Sequence, residues 1–308
     1  MRNSFADTVY KIGKSNPLVC VVVADISPAG SIDKFREEFP SRFINTGVAE
    51  QSMVGISAGL AISGLRPFCY TIASFSLYRP FEFIRDDLAY QNLPVTVIGM
   101  GAGVVYSTLG STHHTIEDIA ISTAIPNMTV LAPCDPFEVK LAIEWCATKS
   151  KGPVYMRIGK AGEPNLTKGV SSPFEIGKLR YLEKKSNLAI ISYGTIVKTA
   201  IELSERLSKQ KIEASVVSFH TLKPLDVEGV ISLLELHSYV VIIEEHVKIG
   251  SLGTSIKDIA FNIGYSGKIQ TFCLPDEFIS HYGTYDDILK YCNLDAKSIF
   301  KEMINNFN

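Results

Sequence analysis

The sequence predicts an α/β fold of two doubly wound domains with mainly parallel sheets. Three observations predict it. Short β-branched runs alternate with helical patterns along the chain, a polar stretch at 182–187 (LEKKSN) separates two such series, and 308 residues at 46% hydrophobic and 20% charged suffice for two cores. In the first series the strands fall at 18–25 (LVCVVVAD), 66–73 (RPFCYTIA), 93–101 (LPVTVIGMG), 128–135 (MTVLAPCD) and 152–159 (GPVYMRIG). Helices follow Glu50 and lie near 79–91. In the second series the strands fall at 188–194 (LAIISYG), 214–220 (ASVVSFH), 239–246 (YVVIIEEH) and 269–275 (IQTFCLP), with helices at 199–210 and after 250–254 (GSLGT). The boundary is expected between 166 and 186, giving domains at 1–170 and 183–308. No internal repeat or low-complexity segment interrupts them.

Composition narrows the function classes. A net charge of -2 with mixed signs provides no basic field for nucleic acid or an anionic membrane surface, so neither partner is expected. The six cysteines are scattered, form no CxxC pair and mostly sit in apolar runs, which reads as reduced and buried rather than as zinc or disulfide sites. No signal peptide opens the chain and no apolar run is long enough to span a bilayer, so a cytoplasmic location is expected.

No Gly-x-Gly-x-x-Gly after a strand, Walker loop, Gly-x-Ser-x-Gly elbow or His-Glu-x-x-His occurs. Three features stand out instead: Glu50 at the start of a Gly- and Ala-rich helix, the aromatic group Phe75, Tyr78 and Phe81, and the paired histidines of GSTHHTIED (110–118). A carboxylate beside a small-residue helix and flanked by rings can hydrogen-bond a flat heterocycle that stacks on one of them. The alternative readings are a helix-capping acid and plain core aromatics.

The stretches NTGVAEQ (45–51), RPFCYTIASF (66–75), GSTHH (110–114) and GPVYMRIGK (152–160) resemble the pyrimidine-binding domain of transketolase and deoxyxylulose-phosphate synthase. EEHVKIGSLGTS (244–255) and LPDEFISHYGTYDDILKYCNLD (274–295) extend the likeness through the C-terminal domain, in the family's order. These are thiamine-diphosphate enzymes. The resemblance implies that Glu50 hydrogen-bonds N1′ of the aminopyrimidine and favours the tautomer that deprotonates the cofactor's C2. It implies that Phe75 stacks on that ring with Tyr78 one turn further, and that His113 faces the thiazolium and the substrate oxygens. His114 replaces a glutamine often found there, and its role stays open. His246 is a candidate for an interface edge, whereas His220, His237 and His281 read as structural or surface residues.

Family members also carry a diphosphate-binding domain with Gly-Asp-Gly and an Asn, and this sequence contains no Gly-Asp-Gly. The resemblance therefore implies the C-terminal half of a split enzyme. A separate N-terminal subunit would hold the diphosphate and Mg2+ or Ca2+, this chain would supply no metal ligand, and the assembly would be α2β2. Where transketolase reads a sugar phosphate with His, Asp and Arg, this chain has Gly101, Leu109 and Lys160, and a substrate-contacting serine position holds Ala29. Arg2 and Arg79 match anion-binding positions of the two branches, or else are surface ion-pair partners. The expected reaction is transfer of a two-carbon ketol unit from a ketose to an aldehyde, with a non-standard sugar. A pyruvate-using synthase, a 2-oxo acid dehydrogenase β-type subunit and a non-catalytic structural partner are the alternatives.

Overall fold

The computed structural model describes residues 1–26, 31–185 and 187–305. Strands β1 (Val19–Val23), β2 (Phe43–Asn45), β3 (Arg66–Ile72), β4 (Thr96–Met100), β5 (Thr129–Leu131) and β6 (Val154–Ile158) come first. With them are helices α1 (Arg2–Ser15), α2 (Ser31–Glu38), α3 (Glu50–Ile62), α4 (Ala73–Leu77), α5 (Phe81–Phe83), α6 (Asp118–Ala124) and α7 (Pro136–Thr148). A π-helix over Ile84–Tyr90 continues α5. The second half holds β7 (Arg180–Glu183), β8 (Leu188–Ser192), β9 (Ala214–Ser218), β10 (Thr221–Lys223), β11 (Tyr239–Val247) and β12 (Lys268–Leu274). Its helices are α8 (Val197–Ser208), α9 (Val227–Leu236), α10 (Leu252–Asn262), α11 (Tyr285–Tyr291) and α12 (Ala296–Asn305).

Two sheets result, of seven strands (β10-β5-β6-β4-β3-β1-β2) and five strands (β12-β11-β8-β9-β7). Every pairing is parallel except the edge pairs β10 with β5 and β7 with β9. Three of these strands, β2, β7 and β10, escape the sequence reading. They are edge strands of three or four residues, too short to show a hydrophobic period. β10 also crosses over: it follows β9 of the second sheet but pairs with β5 of the first, where His220 O accepts from Ala132 N at 2.9 Å.

Central strands are buried on both faces, which is why they read as continuous apolar runs. Val19, Val21 and Val23 of β1 face Phe5, Val9, Val139 and Ile143 of α1 and α7, while Val22 faces Met53 and Val54 of α3. The cluster under α3 continues into Val217, Val230, Val240 and Ile256 of the second half, so apolar packing runs through from one sheet to the other. No helix among the described residues is long and apolar enough to cross a membrane.

In the first sheet β2 lies on one side of β1 and β3 on the other. The connections after β2, β3, β4 and β6 leave from the same carboxyl edge, at the place where the strand order reverses. Open α/β sheets bind ligands in the crevice at such an edge.

Candidate active site

The turn after β2 sets the position of Glu50. Asn45 Oδ1 accepts from the backbone N–H groups of Asp25 (3.0 Å) and Gly47 (2.9 Å), and Thr46 Oγ1 donates to Val23 O at 3.2 Å. Gly47 adopts φ +69°, a left-handed conformation that a side chain would strain. Ala49 as N-cap offers no side-chain acceptor, so the first carboxylate at the positive end of α3 belongs to Glu50, which is only 3% exposed.

The opposite wall comes from the segment after β3. Phe75 lies on α4, and Arg79 lies in the break between α4 and α5, next to Pro80. Arg79 Nη1 donates to Glu50 Oε1 at 3.1 Å and Oε2 at 3.3 Å, and its guanidinium carbon stands 4.3 Å from the Phe75 ring centroid. The ring of His113 meets Phe75 edge-on, at 5.2 Å and 68°. Thus Glu50, Phe75, Arg79 and His113 form one contiguous group. The Arg79 side chain keeps 47% of its surface exposed, so the carboxylate's partner faces solvent.

The loop after β4 carries the histidines. His113 Nδ1 lies 3.0 Å from Thr112 Oγ1, which leaves Nε2 free for a ligand. Burial first, and the Arg79 charge second, hold its pKa below the ordinary histidine value. His114 is 5% exposed and both its ring nitrogens lack a hydrogen-bond partner. It lines a cavity of about 150 Å3 with Ser74, Tyr78, Ser111, Glu117 and Phe278. Burial, then the neighbouring His113, lowers its pKa as well, against the pull of Glu117. Tyr78 turns to this cavity, its hydroxyl donating to Glu117 Oε2 at 2.6 Å, and burial pushes its phenol pKa up. Tyr78 and His114 therefore stand behind the group rather than in it. Phe81 packs against the core.

Of the cations considered for anion binding, Arg79 belongs to the group itself, while Lys160 and Arg2 lie to one side. Lys160 Nζ stands 4.7 Å from the Tyr106 ring, and that ring lies 5.9 Å from His113. Burial pushes the phenol pKa of Tyr70 and Tyr106 up, with nearby Arg2 partly opposing it, and the buried Nε of Arg2 has no hydrogen-bond partner. A side chain on Gly101 would run into the Tyr106 ring, so the tyrosine fills the space that the family's histidine would need. Sequence reasoning missed Tyr106, whose only signal is that glycine. It also missed Glu117, signalled by no more than its place after HHTI, and the pairing of Arg79 with Glu50. Leu109 is 48% exposed. Ala29 lies outside the described residues.

Beneath the site, charged groups join the two halves. Arg157 of β6 pairs with Asp118 at 3.4 Å and donates to Glu245 O at 3.3 Å, and Tyr155 donates to Asp118 at 2.8 Å. Glu245 accepts from Val104 N (2.7 Å), Thr195 Oγ1 (2.9 Å) and Tyr285 OH (3.1 Å). The Glu245 carboxyl lies so close to Gly103 that a side chain there would clash with it. His246 sits in the same seam, its Nε2 accepting from Ala120 N at 3.3 Å. His220 stacks on Phe174 at 4.1 Å, buried His237 accepts from or donates to Ser215 Oγ at 3.0 Å, and His281 stacks on Tyr291 at 4.6 Å.

The group suits the pyrimidine end of a flat, hydrogen-bonding cofactor: a buried carboxylate with a half-exposed partner, beside an aromatic ring. Among the described residues, no cluster of three or more His, Cys, Asp or Glu could hold a metal ion. Fold and group together define an α/β protein with a half-pocket at a sheet edge. The transketolase pyrimidine-binding domain matches residues 1–162 and the transketolase C-terminal domain matches residues 177–299. The chain belongs to the transketolase family. It is 36% identical, over 99% of its length and 95% of the other's, to a protein of Methanocaldococcus jannaschii described as a transketolase C-terminal section. It is 32% identical to one of the subunits of an apulose-4-phosphate transketolase of Phocaeicola vulgatus, covering 97% of this chain and 95% of that one. A 1-deoxy-D-xylulose-5-phosphate synthase of Clostridium perfringens is 31% identical, and this chain spans 48% of it. A solved structure described as a split gene transketolase, inactive beta4 tetramer, superposes with a TM-score of 0.85 at 31% identity, over 97% of this chain and 95% of that one.

Proposed function

We propose that the chain is the C-terminal subunit of a split transketolase-like transferase, moving a two-carbon ketol unit from a ketose donor to an aldehyde acceptor in the cytoplasm. The convergence of Glu50, Phe75 and His113 at the carboxyl edge of the first sheet carries this reading. When bound, thiamine diphosphate supplies the nucleophilic carbon and the electron sink. Glu50 holds the pyrimidine nitrogen by a hydrogen bond that strengthens in a buried setting, and Phe75 fixes the ring's plane by stacking. The lowered pKa of His113 favours its neutral form, and in the tautomer whose Nδ1 accepts from Thr112 Oγ1 the Nε2–H is available to donate to a substrate oxygen as charge develops there. Arg2, Arg79 and Lys160 are the cations available for the substrate's anionic group.

The partner is a separate N-terminal subunit that holds the diphosphate and a Mg2+ or Ca2+ ion, in an α2β2 assembly. Relatives described as a C-terminal section, as one subunit of a transketolase and as a split gene transketolase support that division. Apolar residues exposed around α3, including Val48, Ile56, Ile62 and Tyr90, offer a surface for it. The substrate is a sugar other than the common pentose phosphates. Gly101 and Leu109 leave no hydroxyl-reading donors, and the space over Gly101 is filled by Tyr106. The test is co-purification with the adjacent diphosphate-binding subunit, followed by a donor and acceptor screen of the complex that includes pyruvate. Transfer from a modified ketose is expected. Full activity on xylulose 5-phosphate and ribose 5-phosphate would refute the substrate reading, and turnover by the chain alone would refute the division of labour.

A further inference from the structure

Arg79 is held from two directions. One guanidinium nitrogen, Nη1, donates to both oxygens of the Glu50 carboxylate, at 3.1 and 3.3 Å, and the guanidinium carbon lies over the Phe75 ring, 4.3 Å from its centroid. A planar group that donates an N–H to this carboxylate and lies over this aromatic ring occupies the two positions expected of the aminopyrimidine. One carboxylate edge and one ring face cannot serve both at once. The geometry points to Arg79 as a stand-in for the pyrimidine: it fills the half-pocket in the cofactor-free chain and swings out when the cofactor enters. This inference rests on Glu50 and Phe75 being the residues that hold the pyrimidine.

The burial of the two partners explains why a stand-in is needed and why it can leave. Glu50 is 3% exposed, and a carboxylate left unpaired at that depth is strongly destabilising. The Arg79 side chain is 47% exposed, so its charge regains water by a small rotation. Arg79 also lies in the break between α4 and α5, so its movement disturbs no helix interior.

Two measurements test the stand-in. In the chain alone, Arg79→Met lowers Tm by about 3 °C or more because Glu50 loses its partner, while Arg79→Met added to Glu50→Gln produces no further drop. In the complex with the diphosphate-binding subunit, calorimetric titration with thiamine diphosphate and Mg2+ gives a Kd about tenfold lower for Arg79→Met than for wild type, because nothing has to be displaced. Arg79→Lys, a point charge without the planar fork, falls between. A Kd for Arg79→Met equal to or weaker than wild type overturns the inference, since it means the guanidinium helps to hold the cofactor. Failure of the underlying reading looks different: Glu50→Gln and Phe75→Ala then leave the cofactor's Kd unchanged, whatever Arg79 does.

Discussion

Two groups of buried charge in this molecule are built on opposite principles. In the seam between the sheets, Glu245 accepts three hydrogen bonds, from Val104 N, Thr195 and Tyr285, while Arg157 is tied to Asp118 and to the Glu245 carbonyl. At the sheet edge, the partner of Glu50 is the half-exposed Arg79, and His114 has no partner for either nitrogen. Burial raises the pKa of Glu245, yet its carboxylate is held by donors from three separate segments and is shut away from solvent. The edge group is the reverse: the partner of its buried carboxylate stands half in solvent, where a ligand can compete for it. Perturbed, buried charge alone does not mark a site in this chain. A buried carboxylate with a half-exposed partner at a sheet edge is the better candidate.

Substitution of the two glutamates should separate the groups most widely. Glu50→Gln is expected to slow exchange of the cofactor's C2 proton in the complex by at least about a hundredfold, roughly 3 kcal/mol, with Tm of the chain little changed. NMR-detected exchange and a thermal melt decide it, and a large fall in Tm with normal exchange would place Glu50 with the seam instead. Glu245→Ala is expected to do the opposite, removing about 3 kcal/mol of stability because three donors lose their acceptor and buried Arg157 loses a neighbouring negative charge. A urea titration reads that loss. Below the transition, the cofactor's Kd in the complex should stay within about threefold of wild type. A smaller effect is expected from Phe75→Ala, about a tenfold rise in the same Kd, because stacking contributes on the order of 1 kcal/mol beyond burial.

Much of the sheet-edge group was legible in the sequence because its chemistry is local. Glu50, Phe75 and His113 each sit in a short stretch whose neighbours carry the family pattern, and all three meet in the structure. The seam was illegible for the opposite reason: Glu245 and Val104 are 141 residues apart, and nothing near either announces the other. Arg79 on Glu50 is likewise a pairing across separate segments, whereas Tyr106 folds back over Gly101 within one loop, where no periodic pattern announces it. The central strands were readable as continuous apolar runs, whereas β2, β7 and β10 were lost because three or four edge residues hold no period. Tyr78 shows the limit of spacing arguments, since one helical turn beyond Phe75 its hydroxyl is already committed to Glu117.

The smallest expected effect is a pH dependence that belongs to the framework rather than to the site. His220 is buried against Phe174, and burial, with Arg180 adding to it, lowers its pKa to about 3. In the unfolded chain the same side chain titrates near 6.5. Between those values the unfolded state binds the extra proton, so stability is complete above about pH 6.5 and is lost as the pH falls towards 3, by at most about 1.4 kcal/mol per unit. His220→Phe keeps a ring on Phe174 and removes the titration. Urea unfolding at pH 7.5 and 5.5 should then show wild type losing about 1 kcal/mol more than this variant. His113 has a lowered pKa as well but is only partly buried, so the same comparison with His113→Asn should give a smaller difference. If His113→Asn flattened the profile and His220→Phe did not, the titrating proton would lie at the sheet edge, and the division between an enclosed framework and a receptive site would have to be redrawn.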